Sequence, residues 1–241
     1  MNKWDQKAKS YNRYNENKDN FEQRIFSVLN DSKIDFKDKT LLDVGAGTGV
    51  YTLHIAKLAL QIDAIDSSKE MLKILEEDAK KLGLNNIKTF VTTWEEFKLN
   101  KVYDFSLCTM SPAINSQRDI DKFDKSATCK IYLGWAGKRD TIIIEELFKA
   151  HGSIYQAPNG ALKVKNWLTK EKKSFKIFPF EEEKIRVRNF DDAVENFTWH
   201  LDVRGITPNK EKIKKVLDRF KDEDENVKEV TINHMNLIIW E

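Results

Sequence analysis

Leu41-Leu42-Asp43-Val44-Gly45-Ala46-Gly47-Thr48-Gly49 is the stretch that decides the fold. Apolar residues up to Val44 stop at three glycines spaced two apart. Such a run reads as a buried strand that enters a glycine turn. A strand that bends at once into a helix needs positive φ, or space where a Cβ would stand, and glycine supplies both. The helix beyond presents free N–H groups and the positive end of its dipole, so a carboxylate or phosphate fits there. From Val50 to Leu60, Leu53, Ile55, Ala56 and Leu60 recur at helical spacing.

Working outward, Gln61 to Asp66 (QIDAID) is a second short strand that ends on an acid. Ser67 or Ser68 can cap the next helix, whose apolar face is Met71, Leu72, Leu75 and Ala79, and Gly83 ends it. Residues 86–91, 103–110 and 129–137 read as three more strands, and 139–152 as a helix. Short apolar strands alternating with amphipathic helices imply a doubly wound α/β fold, its sheet mostly parallel with right-handed crossovers. Upstream, Phe21, Ile25, Val28 and Leu29 mark a helix. Past residue 155, a helix over 163–172, a strand over 175–190 and helices over 190–202 and 208–220 lead to a last strand at 231–241. Pro179 points to a bulge or an edge position within the 175–190 strand. The expectation is one domain on a seven-stranded sheet with an antiparallel edge. It has an N-terminal helical lid (1–38), a cofactor-binding core (39–155) and a C-terminal part (156–241) with a helical insertion at about 190–222.

Bulk properties narrow the class. The chain has 241 residues with 41 basic and 39 acidic side chains, a net charge of +2, so no global field holds a nucleic-acid backbone. Hydrophobic residues at 40% suffice for a core. Cys108 and Cys129 have neither metal-ligand spacing nor a disulfide framework, and Cys108 reads as a core thiol. No metal site is expected. The polar start has no signal-peptide core, and no apolar run reaches membrane length, so a cytoplasmic protein without a membrane partner is expected.

The glycine turn and Asp66 together read as a cradle for an adenosine-type ligand across two strand ends. A dinucleotide fingerprint needs a third glycine where Val50 stands, and no P-loop lysine follows the turn. Asp43, just before the turn, would repel a phosphate and suits a cationic group. DVGAGTG followed by AIDSS resembles the class I S-adenosylmethionine-dependent methyltransferases, over about residues 40–152. The resemblance implies that Asp43 and the turn (Gly45, Ala46, Gly47, Thr48, Gly49) hold the methionine part of S-adenosylmethionine, or of its product S-adenosylhomocysteine. It implies Asp66 on the ribose, Ser67 and Met71 beside the adenosine, Thr93 and Trp94 at the adenine edge, and Cys108 to Ser111 bordering the sulfonium. Tyr11 and Tyr14 would close over the cofactor. Many members carry an acid where Thr93 stands.

Methyl transfer is an in-line displacement that forces no general base, and no catalytic residue stands out. Thr109-Met110-Ser111-Pro112-Ala113-Ile114 matches half of the motif of nucleobase-methylating members but lacks its second proline and its ring. His54, His151, His200 and His234 read as structural, and the lysines around Trp167 as a solvated face. A small-molecule acceptor is expected. RNA or protein acceptors, or a catalytically idle cofactor-binding scaffold, are the alternatives.

Overall fold

Strand β1 (Thr40–Val44) is buried from Leu41 onward because it has a parallel neighbour on each side. Leu42 lies opposite Asp63 of β2 (Gln61–Asp66) and Ser106 of β4 (Tyr103–Thr109). In a computed structural model, which describes residues 2–16 and 20–241, the strands order as β3-β2-β1-β4-β5-β7-β6. Here β3 is Ile87–Val91, β5 Ala127–Asp140, β6 Phe175–Asn189 and β7 Asn226–Trp240. The first five are parallel, with antiparallel strands at the edge, as expected. The order reverses direction between β1 and β4, the switch point at which open α/β sheets bind ligands. β6 ends the sheet, which suits Pro179, since an edge strand can spare an amide.

Helices α1 (Lys3–Lys7), α2 (Phe21–Asp31), α3 (Val50–Ala56) and α4 (Lys69–Lys81) precede β3. Then come α5 (Gln117–Asp124), α6 (Ile142–Ala150), α7 (Gly160–Lys170), α8 (Phe190–Asp202) and α9 (Lys210–Leu217). Residues 1 and 17–19 of the expected lid lie outside the described residues.

Several boundaries differ from the sequence reading. Arg139 and Asp140 belong to β5, not to the following helix. The last strand starts at Asn226, five residues early. Helix α5 was not expected, because its apolar residues Ile120 and Phe123 are few among charges. Its capping box pairs Ser116 with Asp119, a residue shorter than the usual Glu or Gln.

The chain divides into two compact units, one of residues 1–134, 160–179 and 235–241, the other of 135–159 and 180–234. In the first, Ile120, Phe123, Tyr132, Trp167, Leu168 and Trp240 are buried in one cluster with Leu42, Val44 and Ile65. The cluster's polar rim is satisfied at Asp124, which accepts from Trp240 Nε1 (2.8 Å) and Lys173 Nζ (2.8 Å). In the second, Ile144 and Leu147 of α6, Phe197 and Leu201 of α8, and Ile213 and Leu217 of α9 form a separate apolar cluster. Among the described residues no helix is long and apolar enough to cross a membrane.

Ile213 is fully buried in that second cluster. Ile213→Ala is expected to lower the unfolding free energy by about 2–4 kcal/mol, measured by urea titration, because the site keeps a cavity.

Candidate functional site

The bend after β1 is held by β2. The amides of Gly45 and Ala46 both donate to the Ile65 carbonyl, at 2.8 and 3.0 Å. Gly45, Gly47 and Gly49 have φ of +74°, +56° and +81°. A Cβ at Gly45 would overlap the Ser111 hydroxyl, whereas a Cβ at Gly47 would meet nothing within 4 Å. Gly45 therefore answers to packing, and Gly47 leaves its face open for a ligand to approach the backbone.

Asp66 closes one side of this opening. One carboxylate oxygen accepts from the Gly47 amide at 2.9 Å, the other from the Ser68 amide at 2.8 Å. Each oxygen keeps a lone pair for a further donor. Burial raises the pKa of Asp66, against the pull of the Ser68 and Gly47 amides. Asp43 lies deeper. Its Oδ2 accepts from the Thr52 hydroxyl at 2.5 Å, while its Oδ1 is buried with no hydrogen-bond partner. Burial pushes this carboxyl up to about 7; the Thr52 bond opposes the rise and the nearby Asp66 charge adds to it. Cys108, fully buried on β4, has its thiol pushed upward by burial and by the Asp43 charge. Two carboxylates, one with an unused oxygen, beside an open glycine face make a cradle for a ligand with hydroxyls and a cationic group.

The end of β4 is shaped by Met110, within the stretch that the resemblance sets beside the sulfonium but with a backbone conformation the sequence did not mark. Met110 has a left-handed backbone, φ +50°, at a cost of about 1–2 kcal/mol for a non-glycine residue. Its amide donates to the Leu133 carbonyl of β5 at 2.7 Å, and the next residue, Ser111, lies against Gly45.

The N-terminal segment is sewn to the cradle at points that no periodicity announces. The Thr48 hydroxyl donates to the Asn12 carbonyl. Ser68 Oγ donates to Asp5 at 2.6 Å, and Asn2 Nδ2 donates to the Ser67 carbonyl at 2.8 Å. Arg13 reaches both oxygens of Asp78 on α4, at 2.9 and 2.5 Å. Tyr11 is exposed and stands edge-on to Trp4, with centroids 6.4 Å apart. Tyr14 packs on His54 at 4.6 Å and donates to Glu16.

The remaining expected residues fall in different settings. Ala46 lies in the turn, and Ser67 and Met71 lie at the head of α4, Ser67 exposed and Met71 buried. Thr93 is exposed after β3 and bonds Glu96 at 2.8 Å. The Trp94 indole is core: it packs on Phe123 and Phe97 and donates to the Asp119 carbonyl at 3.1 Å. His54 lies half-buried against Phe26, and burial lowers its pKa. His151 bonds the Leu147 carbonyl and accepts from the Asn209 amide. Lys163 and Lys173 are tied to Asn115 and Asp124, and Trp167 donates to Asp121 at 2.7 Å. A depression of about 430 Å³ opens at the starts of β2 and β4, the ends opposite the glycine turn. Its carboxylate, Asp63, is held by Tyr103 and Lys101. Among the described residues no group of three His, Cys, Asp or Glu side chains is placed to hold a metal ion.

Comparison with known proteins agrees with this geometry. Residues 41–127, from β1 to the start of β5, match the family described as "Methyltransferase domain". An uncharacterized protein of Haemophilus influenzae is 26% identical over 153 residues; the match covers 62% of this chain and only 55% of that protein. A Bacillus halodurans protein described as a candidate methyltransferase superposes with a TM-score of 0.60 at 12% identity, covering 89% of this chain and 97% of that one. Coclaurine N-methyltransferase, solved with N-methylheliamine and SAH, gives 0.52 at 14% identity, with 94% and 75% covered. The resemblance seen in the sequence thus stands, and the shared fold is that of the class I methyltransferases.

Two outcomes are expected of the ligand-free protein. Gly45→Ala, which combines a positive φ with the Ser111 overlap, should cost about 2–4 kcal/mol by denaturant titration, and Ser111→Gly should restore part of it. Asp43 binds its proton more tightly folded than unfolded. The native state therefore loses stability as pH rises from about 4 to about 7, and the loss persists above that. Asp43→Asn removes this cost, so its Tm should exceed wild type at pH 8, by less at pH 5, and match it only below about pH 4.

Proposed function

We propose that this chain, whose residues 41–127 match a methyltransferase domain, binds S-adenosylmethionine at the glycine turn and transfers its methyl group to a small molecule. The observation that carries the reading is the Asp66 carboxylate, anchored on the Gly47 and Ser68 amides beside an open glycine face. Its free lone pairs suit the two hydroxyls of a ribose. The unpartnered Asp43 Oδ1 suits the cationic methionine end, and a bound cation would draw the raised pKa of Asp43 back down. A pyrophosphate would meet repulsion from both carboxylates. The donor set therefore fits a sulfonium nucleoside better than a dinucleotide.

In this reading Asp43, Gly45, Ala46, Gly47, Thr48 and Gly49 surround the amino-acid tail. Ser67 and Met71 flank the adenosine, and Thr93 with the Trp94 backbone borders the adenine. Cys108 and the Met110 bend border the reacting centre. The N-terminal segment, with Tyr11, closes over the ligand once bound, excluding water. When bound, S-adenosylmethionine supplies an activated methyl group. The chain's own part is to orient the sulfonium and exclude water, which is where catalysis of such a displacement comes from. The near-neutral charge supports a small acceptor over RNA, since no excess of basic side chains holds a phosphate backbone.

Thermal shift tests this. S-adenosylmethionine and S-adenosylhomocysteine should raise Tm, while NAD and ATP leave it unchanged. Asp66→Ala should abolish most of the shift; a full shift in that variant would sink the ribose assignment.

A further inference from the structure

The depression of about 430 Å³ at the starts of β2 and β4 lies at the end of the sheet away from the glycine turn and takes no part in the cofactor cradle. Strand register builds one side of it. Asp63 of β2 lies opposite Lys88 of β3, and Ile65 opposite Phe90, so Lys88 and Phe90 stand on the face that Asp63 occupies. β3 ends the sheet, so no further strand covers this side. The loop between β3 and β4 builds the other side with Phe97, Lys98 and Lys101. That wall is fixed in place. The Phe97 amide donates to the Thr93 carbonyl at 3.0 Å, and Lys122 Nζ of α5 donates to the Phe97 carbonyl at 2.5 Å. Phe90 and Phe97 are half-buried and meet edge to face, their centroids 5.6 Å apart.

The charges around this space do not cancel. Among the described residues that line it, Lys88, Lys98 and Lys101 are basic and Asp63 alone is acidic. The acid is already engaged: its Oδ2 accepts from the Tyr103 hydroxyl at 2.6 Å and lies 3.0 Å from Lys101 Nζ. Lys88 adjoins Asp63 by register, yet its ammonium stands over the Phe90 ring, 4.8 Å from the centroid. Among the described residues no carboxylate lies within ion-pair distance of Lys88 or Lys98. Two exposed ammonium groups beside two rings would repel a cation. A bare inorganic anion would leave the rings in water. A ligand that joins an aromatic ring to an anionic group satisfies both: the ring buries apolar area against Phe90 and Phe97, and the anion meets the lysines.

We propose that Lys88, Phe90, Phe97 and Lys98 form a binding site for a small aromatic anion, its ring against the two phenylalanines and its carboxylate or phosphate between the two lysines. The site lies wholly in the first unit and does not depend on the methyl-transfer reading.

The full chain is titrated by calorimetry with benzoate and with phenyl phosphate, at ionic strength held constant with sodium chloride. At least one should bind saturably, and which of them binds more tightly distinguishes carboxylate from phosphate. Inorganic phosphate and benzyl alcohol, each with half of the chemistry, should bind at least roughly tenfold more weakly. The double substitution Lys88→Gln with Lys98→Gln should weaken the ring-bearing anion by roughly tenfold or more, the loss of two charge-assisted contacts. Both side chains are exposed, so the variant should keep the wild-type Tm. Absence of saturable binding by either ring-bearing anion would overturn the site. So would an affinity unchanged in the double variant, or equal binding of benzyl alcohol or inorganic phosphate. Wild type alone supplies a further check: added sodium chloride should weaken the binding, and an affinity indifferent to salt would also overturn the site. The shift with S-adenosylhomocysteine should be the same in the double variant, so failure here and failure of the cofactor assignment are separable.

Discussion

Two backbone amides facing one carboxylate organise the end of the sheet where the cofactor is proposed to bind. Gly47 and Ser68 belong to separate turns, one leaving β1 and one leaving β2, and Asp66 bonds both. That arrangement exists only because β1 and β2 run parallel in a register that sets Val44 beside Ile65. A slip of one residue would send Asp66 to the other face of the sheet. The Ile65 carbonyl adds a second tie by accepting the Gly45 and Ala46 amides. The cradle is therefore a property of strand register first and of residue chemistry second.

Charge placement follows from the same geometry. The Asp66 charge raises the proton affinity of Asp43, in surroundings where burial already disfavours the ionised form. A ligand-free protein bears this as lost stability. In the proposed reading, a cation seated beside Asp43 relieves that cost.

The chain also shows how a short segment can be fixed without a core of its own. Helix α1 has five residues and none is buried. It is held by polar ties at Asn2 and Asp5, with Arg13 clamped on Asp78 farther along. Ties of this kind contribute little singly, so the segment's placement rests on their number.

The sequence by itself determined the strand–turn–helix at 40–56, the acid ending the next strand and the parallel half of the sheet, and it limited Pro179 to a bulge or an edge. These rest on local rules: apolar runs, glycine at positive φ, and caps. It also singled out Asp43 and Asp66, because an acid beside a glycine turn and an acid at a strand end are legible one at a time. Tertiary structure alone decided the rest. The Trp94 indole became core because α5 packs on it, and α5 itself was hidden by its sparse apolar pattern. The left-handed Met110 and the partnerless Asp43 oxygen both depend on what distant residues place nearby. Sequence spacing carries no record of such encounters, since 66 residues separate Gly45 from Ser111 and only the fold sets one against the other.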